Sequence, residues 1–288
     1  VIETRHTFVI ERKLADAGFG NQPGSWPLPT ATTANELWLR AVAAGGQGRY
    51  GSAYRDLAAL RRDAAAGPLL SLAHSTQGSF LRQLGWHAVA RGWDGRALAL
   101  AGTDPEACAD ALIGLAADAL GVGRFAVAAT LLARLDEVLV PGLAVPDRLP
   151  VRRRWVAAEL AMARGDAEIA VGHAAEAVEL VLDMAVPSAR HQVKSDVVLA
   201  AALCSAGNTE RARAIAEVAL DTTGRLQLVP LRWALACLLV DIGSVTFSTR
   251  QLHAIRDVCA GQVRRAGGTW CSAGNDLPPV IVRASVSP

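Results

Sequence analysis

The sequence predicts an all-α fold, an α–α superhelix built from about six helical hairpins. Three observations predict it. Apolar residues recur at helical spacing. Between Asp104 and Leu139, for example, Leu112, Leu115, Ala116 and Ala119 share one face, and Phe125, Ala128, Ala129, Leu132 and Leu135 share another. Glycines recur at the bends between such stretches, at Gly48, Gly85, Gly123, Gly165, Gly207 and Gly243, spaced 37, 38, 42, 42 and 36 residues apart. The apolar half of the chain is mainly Ala, Leu and Val with only 5% aromatics, and Ala and Leu are the best apolar helix formers.

The elements follow in order. Residues 1–31 form an N-terminal segment, with a short helix expected over Thr7–Ala17 and then the loop GFGNQPGSWPLPT. Gly18-Phe19-Gly20 follows no strand and opens no helix, so it is not a phosphate loop. Residues 32–266 form the repeat domain. Thr33 or Asn35 caps its first helix, which stops at Gly45-Gly46, and the second runs from Tyr50 to about Ala65. The second pair, Leu69–Leu84 and Trp86–Leu100, is the least regular, interrupted by Gly78, Gly92 and Gly95. Asp104-Pro105 gives the third pair a cap and a Pro at the first helical position. A connector, Pro141–Pro150, precedes the fourth pair, Val151–Arg164 and Ala167–Leu182. The fifth is Ser188–Ser205 and Thr209–Leu220, and the sixth Leu226–Ile242 and Thr249–Ala266. Residues 267–288 form a tail, where Val280-Ile281-Val282 is expected to dock on the last hairpin or form a short extended piece.

One hairpin cannot bury its apolar face alone, so each must stack on the next. Downstream of the turn glycines the residues repeat. Gly48 is followed by Tyr50, Ala53 and Leu57; Gly123 by Phe125, Ala128 and Leu132; Gly165 by Ala167, Ala170 and Ala174; Gly207 by Thr209, Ala212 and Ala216. In these positions the chain resembles the tetratricopeptide repeat family over about Thr33–Ala266, most closely in the first and third pairs. It departs from the family's pattern at Gly85 and Gly243, and the family's Leu-Gly pair in the first helix is missing. The resemblance implies a right-handed superhelix whose concave surface is lined by the first helix of each pair, and a role in binding proteins or peptides.

Net charge is +2, too small an excess to argue for nucleic acid. The positive charge is almost all Arg, with Lys only at Lys13 and Lys194, a bias that looks like a high-GC actinobacterial genome. The five cysteines, Cys108, Cys204, Cys237, Cys259 and Cys271, lack metal-ligand spacing and read as free thiols. No leader-like apolar segment or membrane-length run occurs, so the expectation is a cytoplasmic protein.

No nucleophile elbow, zinc-protease helix or phosphate-loop lysine appears, and the six histidines are scattered. The expectation is therefore a non-catalytic adaptor with no cofactor and no metal. Its partner-binding residues would be Trp38, Arg152, Trp155, Glu159, Lys194 and Trp233. Counting back from the turn glycines, Trp38, Ser75, Ile113, Trp155, Val197 and Trp233 occupy one equivalent position on the first helices. Glu159 follows one turn later, while Arg152 and Lys194 lie near helix starts. Trp and Arg are the residues most enriched at binding hot spots, and such a groove suits an extended or helical peptide carrying an acidic group. A register one residue away would instead bury the tryptophans as core. Arg152-Arg153-Arg154 stacks positive charge at a helix start against the helix dipole, which calls for an acidic neighbour or partner. A homo-oligomer, a regulatory sensor acting on transcription or signalling machinery, and an all-α enzyme with an assembled pocket stay open at this point.

Overall fold

The computed structural model of the chain describes residues 2–63, 67–140 and 142–271. Among these the chain is all helix and loop, with thirteen helices and no strand. An N-terminal helix, α1 (Ile2–Phe19), precedes six pairs. They are α2 (Ala34–Gly46) with α3 (Tyr50–Asp63), α4 (Pro68–Gln83) with α5 (His87–Leu100), and α6 (Pro105–Gly121) with α7 (Phe125–Val138). Then come α8 (Arg148–Arg164) with α9 (Ala167–Leu182), α10 (Ala189–Ser205) with α11 (Thr209–Arg225), and α12 (Val229–Ile242) with α13 (Thr249–Arg265). Consecutive helices pack against each other. Each first helix also packs on the first helix of the next pair, α2 on α4, α4 on α6 and so on to α12. The first helices therefore form one layer and the second helices another.

The six turn glycines, from Gly48 to Gly243, all adopt positive φ, between 75° and 89°. A side chain there would meet its own carbonyl, so the bend selects glycine. The small residues five positions on are sealed between helices: Ala53, Ala128, Ala170 and Ala212 have no exposed surface. So do Leu57, Ala174 and Ala216, nine positions on. Thr33 caps α2 through a capping box with Glu36, and Asp104 accepts the Ala107 N–H at the start of α6.

Several boundaries differ from expectation. The N-terminal helix runs to Phe19, because its apolar side, including Ile10 and Leu14, packs on the first pair. α8 starts at Arg148, three residues early, and turns part of the expected connector into helix. α11 continues to Arg225 instead of ending at Leu220. Gly45 and Gly46 lie inside α2 and clear space: a Cβ on Gly45 would run into the Phe80 ring, and one on Gly46 into Arg190.

The two ends of the array meet. Gly51 N–H donates to the Ala266 carbonyl at the end of α13 (2.7 Å). Cys271 N–H donates to the Leu84 carbonyl, and the Trp86 indole N–H to that of Thr269. The segment between α1 and α2 spans the same seam, with Gly24 against the Leu226 carbonyl. The expected docking of Val280–Val282 lies outside the described residues.

Candidate interaction surface

Four of the six residues singled out from sequence come together on α8 and α10. Lys194 Nζ pairs with Glu159 (3.3 Å) and sits 5.9 Å from the Trp155 ring centroid. The Trp155 indole N–H donates to Ser195 Oγ (2.9 Å), and its ring stacks on His191 at 5.5 Å. Arg152 forms an ion pair with the buried Asp110 of α6. Trp155, Glu159 and Lys194 remain partly exposed.

The other two lie elsewhere. Trp38 is only 7% exposed, donates its indole N–H to Thr76 Oγ1 (3.0 Å) and packs against Phe19 at 5.4 Å. Its ring is core. Trp233 packs against Trp270, ring centroids 4.4 Å apart, near the end of the described chain and apart from the α8–α10 group.

The three consecutive arginines of α8 each find an acidic neighbour on a different helix. Arg152 pairs with Asp110 of α6, Arg153 with Asp136 of α7, and Arg154 with Glu176 of α9. Successive residues turn by about 100°, so one short run can bridge three neighbours. The helix start is thus neutralised from within the fold.

Sequence reasoning missed three participants: Phe19, Arg148 and Arg190. Phe19 is the hub. The Arg148 guanidinium lies 4.8 Å from its ring centroid and that of Arg190 5.7 Å. Arg148 pairs with Glu106. Arg190 has no acidic partner among the described residues and donates to the Val42 carbonyl (3.2 Å). Burial, and then Arg152 and Arg148 beside it, lower its pKa to about 10. Burial, and then the charges of Arg190, Arg152 and Arg148, push His191 well below the ordinary imidazole range, so His191 is neutral at pH 7. Its Nδ1 lies 2.8 Å from Ser188 Oγ. Burial alone would raise Asp110, but Arg152 and Arg148 outweigh it and hold the carboxyl low. Phe19 escaped notice because it lies in a Gly-rich stretch, and Arg148 because it falls between Pro146 and Pro150.

The segment after Phe19 is held mainly by its backbone. Ala189 N–H donates to the Gly20 carbonyl (3.2 Å). The Gln47 side-chain amide donates to the carbonyls of Pro23 (2.8 Å) and Ser25 (3.0 Å), and Arg40 reaches that of Pro29. Arg49 covers the Trp26 ring at 3.9 Å. Among the described residues no group of His, Cys, Asp and Glu is placed to hold a metal ion, and no helix is long and apolar enough to cross a membrane. No protein-family model matches the chain, and no curated protein matches it.

Proposed function

We propose that the chain is a protein-interaction module, a degenerate tetratricopeptide-like solenoid whose ends have closed on each other, and that it acts as an adaptor without catalysing a reaction. One observation carries this reading. The molecule already grips an irregular, non-helical stretch of its own polypeptide, residues 20–29, by side-chain hydrogen bonds to carbonyls and an arginine laid on a tryptophan. A surface that holds one non-helical segment by its main-chain carbonyls is suited to holding a segment of a partner in the same way. The exposed part of the α8–α10 group, Trp155, Glu159 and Lys194, offers an aromatic face beside a cation and an anion. Such a set suits a partner segment carrying an acidic group.

The test is a peptide array probed with the full chain, repeated with Trp155→Ala and Lys194→Ala after circular dichroism has confirmed intact helices. Selective capture that both variants weaken supports the reading. Absence of capture, or capture indifferent to both substitutions, overturns the assignment of the α8–α10 group as the contact site. Arg152→Glu is unsuitable, because it would set a second carboxylate against buried Asp110.

A further inference from the structure

Where the first and last pairs meet, a cavity of about 1000 Å³ opens between the α2–α3 turn, the end of α11, the start of α12 and one face of α13. This is within the range for a bound ligand or peptide side chains. Four arginines line it, Arg49, Arg225, Arg232 and Arg265, against one carboxylate, Asp221. Asp221 is already paired with Arg225 (3.0 Å). The other three have no acidic partner among the described residues. Arg49 donates to Gln47 Oε1 and lies on Trp26, and burial lowers its pKa. Arg232 donates to the Leu220 carbonyl of α11 (2.7 Å), through space that Gly224 leaves open.

The wall contributed by the middle of α13 is apolar. Ala254, Ile255 and Val258 lie at helical spacing on the side facing the cavity, and Val258 is 56% exposed. The rim holds Gln227, the one non-glycine residue with positive φ (54°) among the described residues. Such a conformation is uncommon outside glycine, and it clusters at functional sites.

We propose that this cleft binds an acidic segment of a partner protein, one that alternates carboxylates with apolar side chains. The assignment rests on the interaction-module reading but places the contact away from the α8–α10 group. Guanidiniums bind carboxylates through paired N–H donors, and a partly buried cation gains most from an arriving anion. The apolar wall supplies contact area that a bare anion would not use. The chain's own tail does not fit this chemistry. Beyond Cys271 it carries one acid, Asp276, and one base, Arg283.

The test is fluorescence anisotropy with the full chain and a labelled peptide of alternating Glu and Leu, beside a Gln–Leu control. The expected result is micromolar binding at low salt that weakens as salt rises, with no binding of the control. Arg265→Glu, at an exposed position, should weaken binding by about ten-fold or more. Arg49→Gln provides a second, milder variant, and melting curves confirm that both fold. Absence of binding, equal binding of the control, or affinity unchanged in both variants overturns the proposal. Binding lost in Trp155→Ala but retained in Arg265→Glu would remove the cleft while leaving the interaction module standing. Binding of inorganic pyrophosphate without binding of the acidic peptide would also overturn it.

Discussion

Two buried ionic clusters lie between the helices, and their charge balance is opposite. In the second and third pairs, Arg82 of α4 pairs with Asp94 of α5 and Asp118 of α6, one cation between two fully buried carboxylates. In the fourth and fifth pairs, Arg148, Arg152 and Arg190 face two acids, Glu106 and Asp110. The acidic cluster is relieved by a proton. Burial, partly offset by Arg82, together with the neighbouring Asp118 raises Asp94 well above the usual carboxylate range. A hydrogen bond between the Asp94 and Asp118 carboxyls, made when one of them is protonated, adds to that rise. The basic cluster cannot shed its charge in that way, since arginine stays protonated. It keeps His191 neutral instead and lays its guanidiniums over Phe19. An excess of buried acid is thus absorbed by protonation, whereas an excess of buried arginine has to be absorbed by aromatic rings and carbonyls.

The largest expected effect breaks the acidic side. Arg82→Met leaves two buried carboxylates facing each other and should cost about 3–5 kcal/mol in denaturant unfolding. A loss under about 1 kcal/mol would mean that the cluster is not the buried unit described here. The counterpart, Arg190→Met, removes a cation that has no acidic partner. It should leave stability within about 1 kcal/mol of the parent or raise it, because the desolvation cost disappears with the charge. A loss matching that of Arg82→Met would erase the contrast.

The smallest effect is in the pH dependence, where the two clusters oppose each other. The folded-state pKa of His191 is depressed, so the unfolded chain binds the proton more readily. Its contribution is complete above about pH 6.5 and is lost as the pH falls below that value. The folded-state pKa of Asp94 is raised, so its contribution is present below about pH 4 and is lost as the pH rises through the folded value. His191→Gln should therefore flatten the fall in stability on acidification from about pH 6.5. Asp94→Asn should remove the loss on raising the pH above about 4. Unfolding free energies measured across this range would decide, and unchanged slopes in both variants would reject the assignment.

Gly78 and Gly114 show how far the sequence could be read. Gly78 reads as a helix interruption, yet it lies within α4. A Cβ on either residue would overlap the Asp94 carboxyl group, so the two glycines make room for a polar side chain on a third helix. Nothing local distinguishes a glycine that breaks a helix from one that admits a neighbour. The same limit applies to Trp38 and Trp155. They occupy equivalent positions on their helices, yet Trp38 is sealed under Phe19 while Trp155 keeps an exposed edge.

By itself the sequence determined the helices, the bends and the pairing. These depend on local periodicity, on glycine's access to positive φ and on small residues at fixed distances from each turn, as Gly48, Ala53 and Leu57 illustrate. Only the tertiary structure decided that the ends of the array meet, that residues 20–29 are held across that seam, and that Arg148, Arg190 and Phe19 form one cluster. The contacts that close the ends, tie Gly20 to Ala189 and bring Arg148 and Arg190 to Phe19 join residues more than a hundred positions apart. Such pairs are set by how many small rotations between neighbouring hairpins accumulate, and no single stretch of sequence encodes that sum.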